Sequence, residues 1–457
     1  MKSIAKNGLN TFLIIWFGQI VSILGSGLTG FALGVWIYEQ TGLATQLGLI
    51  FLFNTLPGIL VAPLAGVMVD RWDRRWAMIL SDSVAAVTTM VVASLLLTNQ
   101  LEAWHIYITS TIASMSSAFQ WPAYASSVAL LVPKKHLGRA DGLLLLGHAA
   151  GQIVSPVLAG FLIVSIQIQG VILIDLATFL FALITILLVR IPKPESVQQE
   201  KEEQKSSIVK EAIQGWQFIV ARRGLLALLL FFATINISAG FVDVLITPLV
   251  LSFSSPDKLG IVLSIGGSGM MIGSLAMSIW GGPKQRVFGV IGFSLLQGLV
   301  LLLGGFRPSI PLVAFAAFVF LFSSAFINGS SQVIWQSKTP PALQGRVLAL
   351  EKMFATASLP IAYLLAGPLA DFVFEPLLAE GGALSNTIGR IIGSGSGRGI
   401  GLLLIILGVV NIVAVILGYL YPRLRLLESE LPDAIPDEEP TQSTVSSLPE
   451  LEQTLMP

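Results

Sequence analysis

Apolar residues dominate this chain in stretches of about twenty, broken at short intervals by knots of polar and charged residues. Twelve such stretches are centred in residues 12–37, 45–68, 77–97, 104–128, 142–165, 170–190, 224–251, 259–280, 287–305, 310–334, 347–372 and 400–421. A helix needs about 20 residues to cross a bilayer core of about 30 Å. The stretches are too long for strands or ordinary core helices. The pattern therefore predicts an all-α membrane protein with twelve transmembrane helices.

Composition changes this picture little. The chain is 54% hydrophobic and only 11% charged, against about 25% charged in a soluble domain. With no cysteine, disulfides and thiolate metal sites are excluded. The first residues lack the small-residue cleavage site that follows the apolar core of a signal peptide, so span one is expected to act as its own uncleaved signal. The net charge of zero says nothing, because the charges are segregated by side. With both termini inside, only Lys258, Arg307, Arg390 and Arg398 of the 26 lysines and arginines fall in outer loops. Cytoplasmic loops carry the basic excess, so both termini are expected in the cytoplasm.

The longest internal hydrophilic stretch divides the spans six and six. Residues 1–190 form one six-helix bundle, 191–223 a cytoplasmic linker, 224–425 a second bundle and 426–457 a tail. The linker begins rich in Pro, Glu, Gln, Lys and Ser and reads as flexible. Its later part spaces Ile208, Ala212, Trp216 and Ile219 as a helix does, which predicts an amphipathic helix on the membrane surface. The tail carries eight acidic residues and no basic ones, which predicts disorder rather than a partner-binding module. A shift of 207 residues carries Pro133 onto Pro340, Gly138-Arg139 onto Gly345-Arg346, Ala159-Gly160 onto Ala366-Gly367 and Gly66 onto Gly273. Six-span halves repeated in parallel are a transporter arrangement, with the substrate site at the repeat interface.

Three motifs sharpen that expectation. Gly66, Asp70, Arg71, Arg74 and Arg75 form a charged hairpin between spans two and three. It resembles the loop after the second helix of the major facilitator superfamily, departing from it at Met68 and Asp73. The resemblance implies a gate that holds the halves together on the inner side through the start of span eleven, Gly345-Arg346. The plainer alternative is a loop that only fixes topology. Gly151, Ser155, Pro156, Ala159 and Gly160 in span five resemble the antiporter motif of the same superfamily, with Ser155 and Ala159 replacing two glycines. That implies export, although small residues also serve close helix packing and proline bends a helix. Phe119, Pro122 and Ala123, followed by Pro133, Gly138-Arg139 and Asp141, resemble the branch containing macrolide-efflux and enterobactin-exporter proteins. This likeness runs from residue 10 to 421 and implies proton-driven export by alternating access across a bacterial plasma (inner) membrane.

Ionisable groups inside a bilayer are functional candidates because each is costly there. Asp243 and Asp175 are the candidate proton-coupling residues. Asp371 and Glu375 lie at the outer end of span eleven, and Asp82 and Glu351 near inner ends. Cavity candidates are Gln19, Asn54, Gln120, Trp121, Tyr124 and Gln152 in the first half, with Asn328 and Gln332 in the second. Ser22, Ser26, His148 and Trp335 accompany them. Apolar walls with few orienting polar groups suit an amphipathic organic molecule.

The expected function is secondary active transport, not enzymatic, with macrolide-like drugs and protons as the transported partners in a lipid bilayer. A siderophore or secondary-metabolite exporter and a lysophospholipid flippase are the alternatives. The protein is expected to act as a monomer with no cofactor, metal or nucleic acid. Gly25–Gly30 satisfies G-x-G-x-x-G but lies within a spanning segment after no strand, so it is no dinucleotide site. The three histidines make no metal-ligand pair.

Overall fold

The computed structural model describes residues 2–133, 136–189 and 208–434, with the side chains of residues 2–7, 67, 70, 71, 129, 208–212 and 342 outside the description. The expected flexible linker start and the tail from residue 435 lie outside the described residues. All regular structure described is helical. Helices α1 (Lys2–Thr41), α2 (Ala44–Arg71), α3 (Arg74–Leu97), α4 (Ala103–Leu131) and α5 (Leu137–Leu188) make the first half. After α6 (Ile208–Ala221) come α7 (Arg223–Leu251), α8 (Pro256–Trp280), α9 (Arg286–Phe306), α10 (Ile310–Lys338) and α11 (Pro341–Leu369). A π-helical turn (Ala370–Phe374) leads to the short α12 (Glu375–Leu378) and α13 (Gly389–Ile392). The last spanning helix is α14 (Arg398–Leu420), followed by α15 (Pro422–Arg425) and α16 (Leu427–Glu430).

Ten of these helices are long and apolar enough to cross a membrane. Two features bring that number to the expected twelve. Helix α5 is 52 residues long, but Gln167 breaks it with φ 61° and ψ 172°. Its first arm runs parallel to α1, bringing Gly147 to Ile20, Gly151 to Ile23 and Ser155 to Gly27. Its second arm runs antiparallel, bringing Thr185 to Gly18 and Thr178 to Gly25. The two arms are therefore separate spans of opposite direction. Helix α4 is absent from the ten although it has 29 residues. Its Thr109, Ser110, Thr111, Ser114, Ser116 and Ser117 lower its hydropathy, and three of them line a cavity.

The two halves meet along α5–α8 and α2–α11. A methyl at Gly160 of α5 would lie 2.7 Å from the Pro256 carbonyl oxygen at the start of α8. One at Gly260 of α8 would meet the Pro156 carbonyl oxygen in return. In the second pair, Gly48 of α2 faces the Tyr363 carbonyl, and Gly367 of α11 faces Thr45. Gly160 and Gly367 are repeat mates, so each half presses the same glycine onto the other half's second helix. All these approaches lie at the end where α2 and α8 begin, here called the closed end. Toward the opposite end, Gly66 on α2, Gly138 and Gly142 on α5, and Gly345 on α11 have no neighbour within 4 Å of an added methyl. At these four glycines the same helices make no approach like those of the closed end.

Helix α6 packs against α7 and α11, with Trp216 stacked on Phe354. The start of the tail is ordered, a correction to the disorder expected from residue 426. Lys338, at the end of α10, donates to the Glu428 and Leu431 carbonyls at 2.9 and 2.5 Å and pairs with Asp433 at 2.9 Å. Leu427, fully buried, fills the apolar cluster above α7 and α9. One buried cation satisfying three acceptors outweighs the polar composition of this short strap.

A cavity in the first bundle and its acidic neighbours

Helices α1, α3, α4 and α5 enclose a cavity of about 400 Å³, with Asn54 of α2 at its wall. The predicted residues Gln19, Ser22, Ser26, Asn54, Gln120, Trp121, Tyr124 and His148 all line it, together with Asp175. Small polar residues one or two turns apart on α1 and α4 share a face, so that face can only be buried against other polar groups. His148 meets the Trp121 ring edge-on, with centroids 5.0 Å apart. Asp175, 1% exposed, takes a long hydrogen bond from the Thr178 hydroxyl at 3.4 Å. Gln152 does not belong to this cavity. It is exposed on α5, and its carbonyl faces Gly267 of α8.

Behind this wall lies Asp82, completely buried. Gln19 Nε2 donates to one of its oxygens at 3.0 Å, and Gln120 Nε2 donates to the other. Sequence reading placed Asp82 near an inner helix end and gave it no role. The signal was present: Gln19, Asp82 and Gln120 interrupt apolar stretches at similar depths of three different spans. Only the packing of those spans shows that the three side chains meet.

In the second half the predicted residues separate. Asn328 and Gln332 line a cavity of about 360 Å³ with Asn236, Glu351 and Lys352. Asp243 borders a smaller apolar pocket of about 100 Å³ elsewhere in that bundle. Its side chain is exposed, and it accepts from the Tyr363 hydroxyl at 3.2 Å. Trp335 lines no part of these cavities. It is 1% exposed and packed among Ile334, Val347 and other apolar residues.

The motif residues fall at the two ends. In the charged hairpin, Arg74 donates to the Ser126 carbonyl at 3.2 Å, and Arg75 to the Ile186 and Leu187 carbonyls at 3.2 and 2.7 Å. A cation there satisfies carbonyls left open at the end of α5. Asp73, where the sequence departs from the family pattern, caps α3 by accepting from Arg75 N at 3.0 Å. The expected pairing of Asp70 and Arg71 lies outside the described side chains. In the span-five motif, Gly151 and Ser155 face α1, with Ser155 donating to the Leu24 carbonyl at 3.1 Å. Pro156 and Gly160 face α8, and Ala159 is fully buried beside Leu28, Ala32 and Val171.

Asp371 and Glu375 are helix caps. Asp371 accepts from Ala44 N at 3.0 Å, Thr45 N at 2.7 Å and the Thr45 hydroxyl at 2.6 Å. Glu375 accepts from Gly397 N and Ile400 N at 3.1 and 2.9 Å. Backbone N–H groups at helix starts lack partners within the helix, and a carboxylate supplies acceptors with favourable charge.

Two bundles of spanning helices meeting along repeat-related seams, with a polar cavity inside, define a membrane carrier. The Major Facilitator Superfamily profile matches residues 15–363, and the chain belongs to that family. As a member it is a carrier rather than an enzyme. It is 29% identical over 370 residues to macrolide efflux protein A of Streptococcus pyogenes, covering 79% of this chain and 89% of that protein. It is 23% identical over 380 residues to the multidrug efflux pump Tap of Mycolicibacterium fortuitum, with 79% and 89% coverage. Its fold matches an inward-facing, unoccupied bacterial homolog of the human lysosomal transporter Spinster with a TM-score of 0.70. The identity is 12%, and the match covers 93% and 98% of the two chains. The resemblance read from the motifs holds: this is a multi-pass transporter similar to drug-efflux proteins.

Proposed function

We propose that the protein exports amphipathic organic molecules, macrolides among them, in exchange for protons by alternating access. The observation that carries this reading is the 400 Å³ cavity, where glutamine, serine, threonine and aromatic side chains share the wall with one buried carboxylate, Asp175. Such a wall suits a bulky ligand held by few orienting polar groups. Similarity to proteins named for macrolide and multidrug efflux supports the substrate class.

Placing the basic ends in the cytoplasm, as the lysine and arginine distribution requires, puts the closed end outside and the cavity open to the cytoplasm of a bacterial cell. Residues 1–190 and 224–425 rock as two bodies within a monomer. Asp175 and Asp243 carry the protons. Asp70 and Arg71 with Arg74 and Arg75 hold the inner ends together once the outer end opens.

Flux of a macrolide and a dye in proteoliposomes, with and without an imposed pH gradient, tests the reading. Flux that needs the gradient is expected, and Asp175→Asn or Asp243→Asn should weaken that dependence. Macrolide flux indifferent to the gradient would remove proton exchange, and no flux of either compound would remove drugs as the substrate class.

A further inference from the structure

Asp82 lies behind the cavity wall rather than on it. Gln19 Nε2 and Gln120 Nε2 donate to its two oxygens. Gln120 Nε2 also donates to Gln19 Oε1 at 3.0 Å. The three side chains, from α3, α1 and α4, thus close a hydrogen-bonded ring. An ionised carboxylate only accepts, whereas an amide has two donors on one atom and an acceptor on the other. Asp82 therefore dictates which way the amides face. Both hydrogens on Gln120 Nε2 are used within the ring, which leaves Gln120 Oε1 for the cavity that this residue lines.

We propose that Asp82 is a positioning residue that turns its own protonation into a change in what Gln120 offers to substrate. This rests on the proton-exchange reading above. A proton delivered by water adds to one carboxylate oxygen, forming a single O–H bond and breaking none in the protein. The group now donates, and a buried donor facing an amide NH₂ leaves both unsatisfied. Rotation of the Gln120 amide brings its Oε1 to the Asp82 O–H and sends its Nε2 to the cavity, breaking its bond to Gln19 Oε1, which turns to accept from the cavity that Gln19 also lines. At Gln120 the wall changes from acceptor to donor. A substrate that binds through a donor, an ammonium or hydroxyl group, is held by the ionised form and disfavoured by the protonated one. Proton and substrate thereby exclude each other without touching, and the coupling is reciprocal.

The ring is well isolated for this role. Titratable groups facing the cavity from the packed helices are Tyr124 on α4 with His148 and Asp175 on α5. The lining residues of α1 and α2 include none. On α3 itself, Arg74 and Arg75 are engaged by carbonyls of α4 and α5.

Infrared difference spectroscopy on a downward pH step tests this on the full chain in phospholipid nanodiscs, with no substrate added. Expected is a protonated-carboxyl band that Asp82→Asn abolishes, accompanied by a shift of a glutamine amide band that Gln120→Met abolishes. If Asp82→Asn does not fold, Gln120→Met still decides. It keeps the carboxyl group but removes its acceptor, so the carboxyl band should move to higher frequency. A carboxyl band indifferent to both variants overturns the proposal, as does an Asp82 band with no accompanying glutamine shift or no Asp82 band at any pH that leaves the protein folded. Gradient-independent flux with the expected spectra would remove the exchange reading while leaving the ring's response intact. Gradient-driven flux with none of these bands would remove only the ring.

Discussion

Asp371 and Glu375 cap helices, whereas Asp175 and Asp243 face cavities, and the two pairs have different consequences when changed. Asp371 satisfies the first N–H groups of α2 from the other half of the molecule. Losing a cap costs about 1 kcal/mol, or roughly a fivefold change in an equilibrium. Asp371→Ala should therefore shift the population away from closure at this end by that factor. Spin-label distances between the first turn of α2 and the last turn of α11 would report it, and an unchanged distribution would refute the latch. The local sequence sets Asp371 beside Glu375 at the end of its span and Asp175 alone inside another, but shows no capping role for either. The partners of Asp371 come from a distant segment, and only contact geometry assigns its role.

At the level of elements, glycine placement governs how closely helices approach. Gly260 lets α8 meet the Pro156 carbonyl of α5, so Gly260→Leu forces backbone apart. Overpacking of this kind costs about 1–3 kcal/mol. A lower melting temperature or loss of closed-end distances is expected, and a variant that melts and closes like the wild type would argue against the seam. The strap of residues 422–434 depends on Lys338. Lys338→Met leaves two carbonyls without their donor, at a cost of about 1–3 kcal/mol, and should hasten proteolysis after α14 without altering the helices before it. Equal protease sensitivity would show that the strap holds by its apolar contacts alone. All twelve spans were legible in the spacing of apolar stretches. Only ten helices stand out by length and hydropathy, because α5 runs two spans together across the break at Gln167 and α4 is polar where it borders a cavity.

Across the whole molecule, the pseudo-repeat sets which surfaces meet. Gly160 of α5 against α8 and Gly367 of α11 against α2 make equivalent approaches, so one rocking motion can open both seams together. The outer-open state should bring Gly66 and Gly345 regions together as the residues around Thr45 and Gly367 part. Paired spin labels at both ends, measured with and without substrate, should show distances that change in opposite senses. Distances that change in the same sense would exclude rocking between two states.

The sequence by itself determined the class of fold, the number of spans, the relation between halves and eight of the residues that line the first cavity. Those properties follow from apolar length, from repeated spacing and from polar residues that recur on one helical face. Only tertiary structure decided that α2 pairs with α11 and α5 with α8, that Asp371 and Glu375 cap helices, and that Asp82 joins Gln19 and Gln120. Hydrogen bonds made between segments 22 to 327 residues apart have no local signature. Their partners are chosen by how the helices cross.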